Sequence, residues 1–253
     1  MRTALRLLGV GWLLHVRMFA TSAFNGILNV LYPLFFATVA FFMFEGEALL
    51  YASLGAAVMG IWGATSTAAG SALQQERRHG TLELLVAAPV HFALVLLPIT
   101  IALATMGVYS MVATLVWGRV LFGIRLTIDQ PLAFAVSIPV TVITIGALGF
   151  LFAVSFVRYR RAWALGNLFE YPVWLICGFL VPITLLPGWV RPISWVLAPT
   201  WGMNAVRESA LGGTPWPDVG MALALGCIYV TIGLLVMERM LAAARARAVL
   251  SLT

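Results

Sequence analysis

Six long stretches of this chain contain no Asp, Glu or Arg, and they constrain its fold more than any other feature. They run over 18–44, 48–75, 84–118, 130–157, 171–190 and 219–237. A helix needs about 20 predominantly apolar residues to cross the hydrocarbon layer of a bilayer. Each stretch is near that length or beyond it. The runs are continuous, whereas strands of a membrane barrel must alternate in hydrophobicity. The pattern predicts an all-α integral membrane protein with six transmembrane helices, at roughly 24–44, 48–72, 93–116, 132–155, 164–186 and 219–239.

Composition agrees. Of 253 residues, 62% are hydrophobic and only 9% charged, where a soluble domain carries about 25% charged residues. So little polar surface cannot cover a water-soluble globule. This excludes a cytosolic enzyme, a disordered chain and a secreted disulfide scaffold, and it leaves a single membrane domain over 1–253. All 15 basic residues are Arg. A Walker A loop needs a Lys to reach the terminal phosphates, so nucleotide chemistry of that kind is absent from this sequence. Cys177 and Cys227 lie in apolar surroundings and are expected as small buried hydrophobes. His15, His79 and His91 lack metal-ligand spacing, so no metal is expected.

An even number of spans places both termini on one side. That side holds Arg2, Arg6, Arg17, Arg77, Arg78, Arg158, Arg160, Arg161, Arg239, Arg245 and Arg247. The other holds Arg119, Arg125, Arg191 and Arg207. Cytoplasmic loops carry the excess of Arg, so the first side is expected to be cytoplasmic in a plasma membrane. The net charge of +6 reflects these loops and calls for no nucleic-acid partner. Within 1–22, Arg2, Arg6 and Arg17 share one face at helical spacing, opposite Leu5, Leu8, Trp12, Val16 and Phe19. This predicts an amphipathic helix lying in the membrane interface. A signal peptide is disfavoured because His15 and Arg17 interrupt the apolar run. On the outer side, 187–212 combines Pro187, Pro192 and Pro199 with Trp189, Trp195 and Trp201. It is expected to form short re-entrant helices in the outer leaflet, between spans five and six.

The longest polar interruption on the cytoplasmic side between helices is Gln74–Val90, QQERRHGTLELLVAAPV. Gly80 turns the chain, Pro89 closes the segment, and Leu82, Leu85 and Val86 form an apolar stripe at i, i+3, i+4. Such a helix can enter a groove on a partner. Equally, it can be an interfacial loop that only reverses the chain.

The run Glu76-Arg77-Arg78-His79-Gly80-Thr81-Leu82-Glu83-Leu84-Leu85, followed by Ala88-Pro89-Val90, resembles the ABC-2 type transporter permeases. It departs from their pattern at Arg78 and Ala88. A second region is also similar: Gly178-Phe179-Leu180-Val181-Pro182, then Leu186-Pro187-Gly188-Trp189, then Ala198-Pro199-Thr200 and Arg207. The resemblance implies a permease that pairs with a second copy, as a homodimer or with a related chain. It also implies a cytoplasmic ATP-binding cassette ATPase subunit that holds ATP and Mg, so this chain would be no enzyme and carry no cofactor of its own. The segment 74–90 would be the coupling helix and 1–22 the connecting helix.

On this resemblance Glu76, Arg77 and Glu83 are the expected polar contacts with the ATPase, and Leu82 and Leu85 the apolar ones. Gly80 would make the elbow and Thr81 would cap the helix that follows. Glu170 is the one acid well inside a span and should face protein or water, in a translocation route or paired with Arg158, Arg160 or Arg161. Asn167 lies one turn before it. Asn25 and Asn29 share a face and line a pathway or bridge helices. The family's outer gate would correspond to Pro182, Pro187, Trp189 and Pro199; equally, the tryptophans of this region can serve only to anchor it at the headgroups. Gly60, Gly63, Ser66, Thr67, Gly70 and Ser71 form a small-residue set expected to serve close packing, within the subunit or across a dimer. The expected activity is export of an amphipathic, lipid-like or lipid-linked glycan cargo, with membrane lipid as a further partner. The rivals are an ion-coupled secondary transporter, which would often show inverted repeats, and a membrane-embedded transferase, which would need paired acids.

Overall fold

The computed structural model describes residues 2–20, 23–43, 47–78, 93–124, 127–156 and 162–247. These are helical throughout apart from short connections, with no strand among them. In chain order the helices are α1 (Arg2–Ala20), α2 (Ala23–Met43), α3 (Glu47–Arg78), α4 (Ala93–Phe122), α5 (Pro131–Phe156) and α6 (Ala162–Ile176). A 3-10 turn (Ile183–Leu185) follows, then α7 (Val190–Trp195), α8 (Ala198–Leu211) and α9 (Pro215–Arg247).

Helix α3 is the hub. It packs against α2, α4, α5, α6 and α8, and 78% of its window Leu49–Ser66 is buried inside the molecule, against 28% for Pro215–Met240 of α9. Glycines at the crossing with α4 let α3 lie this close to its neighbour. A β-carbon on Gly60 would sit 2.4 Å from Ser110 Oγ, and one on Gly107 of α4 would sit 2.4 Å from Ile61 Cα. Small residues at these crossings let the backbones approach until only side chains of hydroxyl size fit between them. The expected packing role of Gly60 is thus met within the subunit, while Gly63 faces the carboxylate of Glu170. Trp62, Leu54, Met59 and Ile61 of α3 join Phe150 and Phe179 among the largest fully buried side chains.

Among the described residues, four helices are long and apolar enough to cross a membrane, by length and composition: those containing Leu49–Ser66, Ala93–Phe122, Pro131–Ser155 and Pro215–Met240. Two expectations are corrected. The helix expected over 164–186 ends at Ile176, and its 15 residues extend only about 22 Å. A helix-ending motif stops it. Gly178 takes φ +73, its N–H donates to Leu175 O, and the N–H of Phe179 reaches back to Trp174 O. This double bond pattern closes a helix on a left-handed glycine. Cys227 is exposed, whereas Cys177 is buried; the difference follows from the peripheral position of α9.

Where 1–22 was expected to be amphipathic, α1 packs on α4. Trp12 Nε1 donates to Thr105 Oγ1 at 3.0 Å, and Arg6 and Arg17 face outward.

Candidate functional site

The segment after α6 begins with little regular structure, and four sets of contacts hold it, three made by side chains and one by backbone N–H groups. Tyr229 of α9 bridges the α7–α8 junction: its hydroxyl accepts from the Ala198 N–H at 2.9 Å and donates to Val196 O. Helix α5 presents two hydroxyls one turn apart to α8. Ser137 Oγ reaches Ala205 O at 3.3 Å and Thr141 Oγ1 reaches Gly202 O at 3.2 Å. Gly202 admits the latter, since a β-carbon there would lie 2.9 Å from Thr141. The C-terminal carbonyls of α8 are taken by backbone N–H groups: Asp129 donates to Ala210 O and Gln130 to Ser209 O. Gly212, at φ +81, then turns the chain toward α9.

The fourth attachment is Arg207 of α8, which is 4% exposed. Its guanidinium donates to Gly178 O at 2.7 Å, to Phe179 O at 2.5 Å and to Tyr51 O at 3.3 Å. It also stacks 3.4 Å from the centre of the Tyr51 ring. The two carbonyls just past the end of α6 therefore have donors. Gly55 makes room, because a β-carbon there would fall 1.6 Å from Phe179 O and 2.6 Å from an Arg207 nitrogen. A buried guanidinium is tolerable when carbonyls and a ring face replace its water.

Deeper along α3 lies a second polar point. Glu170 of α6 is 8% exposed. Its carboxylate rests against Gly63, 3.0 Å from where a β-carbon would stand, and Trp62 Nε1 donates to its backbone oxygen at 3.3 Å. Trp62 stacks edgewise on Phe152, whose ring in turn meets Phe169. The acid thus faces protein, as its cost in a bilayer requires. Its expected partners Arg158, Arg160 and Arg161 lie outside the described residues.

Of the other expected site residues, Asn167 is half-buried, one turn before Glu170 on α6. Asn25 and Asn29 both lie on α2, their side chains outside the described set. Glu76 and Arg77 occupy the last turn of α3, which runs to Arg78. Gly80, Thr81, Leu82, Glu83 and Leu85 lie outside the described residues, as does most of 74–90. The four expected gate residues fall along the segment between α6 and the first turn of α8. Pro182 precedes the 3-10 turn, Pro187 is exposed, Trp189 is 70% exposed before α7, and Pro199 is buried in the first turn of α8. Two short helices, α7 and α8, stand where short helices were expected over 187–212.

The sequence alone did not mark Tyr51, Gly55 or Tyr229, and it gave Arg207 as an outer-side arginine and as part of the second family-like region, without a partner. One usable signal was present: Arg207 is the first charge after Arg191 in an otherwise uncharged stretch, so a buried partner for it could have been sought. Its partners lie 28 to 156 residues away in the chain.

Residues 7–211 match the family model described as ABC-2 type transporter, a range that ends at the last residue of α8. The chain is also similar to the linearmycin resistance permease protein LnrN of Bacillus subtilis (strain 168). The two are 27% identical over 118 residues, a stretch covering 45% of this chain and 30% of that protein.

Proposed function

Because this chain belongs to the ABC-2 type transporter family and is a multi-pass transmembrane transporter subunit, we propose that it works as the permease of an ATP-driven exporter whose hydrolysis resides on a separate ATPase chain. The observation that carries the proposal is the course of α3. This one continuous helix carries Glu76 and Arg77 in its last turn and ends at Arg78, followed in sequence by His79-Gly80-Thr81-Leu82-Glu83. A motor that grips this bend, with Leu82 and Leu85 in its groove and Glu76, Arg77 and Glu83 at the rim, would act on the end of the central helix. The missing Lys fits that division of labour, since the phosphate-binding loop must then sit elsewhere. ATP and Mg belong on the partner.

In this proposal six passages cross the plasma membrane. Helices α2, α3, α4, α5 and α9 supply five. The sixth is α6, continued by 177–186. The outer segment 187–212 re-enters the outer leaflet, with Trp189 and Trp195 at headgroup level, and Pro182, Pro187, Trp189 and Pro199 frame the outer gate. Both termini lie in the cytoplasm, in keeping with the arginine distribution. A second copy or a related chain completes the route, and Asn25, Asn29, Asn167 and Glu170 are its candidate polar contacts. The cargo is amphipathic, lipid-like or a lipid-linked glycan. Resistance is the role named for the similar Bacillus subtilis protein, and a resistance permease is consistent with outward transport.

The test is co-purification of the full chain from native membranes. The expected result is a stoichiometric soluble ATPase with a Walker A motif and vanadate-sensitive hydrolysis. Cargo movement by the purified chain alone, driven by an ion gradient, would replace this proposal with a secondary transporter.

A further inference from the structure

We propose that Arg207 is a positioning residue that latches the outer segment to α3, so that movement of α3 at its far end is carried outward through this side chain. The inference rests on the coupling role proposed for the end of α3.

Helix α8 belongs by its packing to α5 and α9, through Ser137, Thr141, Tyr229 and the Asp129–Gln130 backbone. Arg207 reaches the opposite way. One guanidinium joins α8, the two carbonyls that end α6, and both the carbonyl and the ring of Tyr51 on α3. The planar fork matters, because donors fixed in one plane hold several acceptors in a set relation, which the point charge of a Lys cannot do. The latch is stiff. If Arg207 withdrew, Gly178 O and Phe179 O would lose their donor in a buried setting, which is costly. Gly55 keeps the contact at backbone distance, so little slack remains. From Tyr51 to Glu76, α3 is one unbroken helix spanning about 37 Å at its regular rise. A push at Glu76 and Arg77 therefore arrives at Tyr51, and Arg207 delivers it to the segment from 178 to 211.

The experiment uses the permease–ATPase complex in liposomes. A reporter thiol is placed by Val196→Cys, a position 61% exposed, in a Cys227→Ser background, with Cys177 left buried. The probe is a water-soluble maleimide, applied with and without trapping by ATP and vanadate. In the otherwise unchanged complex, trapping should alter the labelling rate by about fivefold or more, the lower range of coupling between distant sites. Arg207→Met should still bind the ATPase and hydrolyse ATP, while the trapping response falls below about twofold. Where Arg207→Met does not assemble, Arg207→Lys, which keeps the charge without the fork, carries the same expectation. A full response in an assembled variant overturns the latch, as does an unresponsive thiol in the parent complex. Loss of assembly in both variants makes Arg207 a folding residue and overturns it too. If the parent chain binds no ATPase, the coupling reading fails and the latch falls with it.

Discussion

The guanidinium of Arg207 on α8 lies 3.4 Å from the centre of the Tyr51 ring on α3, so a cation from one side of the bundle is held on an aromatic face from the other. Tyr51→Leu removes that face and leaves the backbone carbonyl in place. A desolvated cation–π contact contributes about 2 kcal/mol. The detergent-solubilised protein should lose stability on that order, seen as a lower thermal denaturation midpoint. An unchanged midpoint would mean the ring adds nothing beyond filling space.

Gly55→Ala should be among the most damaging single-methyl changes in the molecule. Its β-carbon would collide with a backbone oxygen, Phe179 O, at 1.6 Å, and no rotamer change relieves that. The cost should exceed the about 1–3 kcal/mol of ordinary overpacking. Gly220→Ala is the control, because nothing lies within 4 Å of its β-carbon position. It should be neutral, or stabilising by up to about 1 kcal/mol through helix propensity. Ranking both variants by thermal midpoint checks the order.

Tyr229→Phe keeps the ring and deletes the hydroxyl that joins Val196 O to the Ala198 N–H. Leaving these groups unpaired should cost about 1–3 kcal/mol. The damage should be local, so limited proteolysis should accelerate within 196–198 before the rest of the chain yields. Uniform protection would contradict the pinning role.

Gly80→Pro and Glu83→Arg alter the proposed coupling bend and none of the apolar helices. Membrane insertion should be unchanged. ATPase retention on co-purification should fall about tenfold or more, equivalent to roughly 1.4 kcal/mol. Full retention in both would remove this bend from the interface.

Several element boundaries were legible in advance. The spans expected to begin at 93 and to cover 132–155 correspond to α4, from Ala93, and α5, Pro131–Phe156. The amphipathic pattern of 1–22 corresponds to α1. The burial of Glu170 followed from the cost of an acid in a bilayer. The stop at Ile176 was not anticipated, although Gly178 and Pro182 stand in plain sight. An apolar run continues past them, and hydropathy does not register a left-handed glycine.

What the sequence by itself determined is the helical, membrane-embedded frame. A helix satisfies its backbone within its own segment, and apolar length is a local property, so each span is decided by its own residues. What only the tertiary structure decided is where the one buried arginine of α8 finds its acceptors. A guanidinium can be satisfied by any set of carbonyls and any ring that come within reach. Here the choice fell to residues far away in the chain, because the missing side chain of Gly55 lets the segment just past α6 and the side chain of Arg207 lie directly on the backbone of α3.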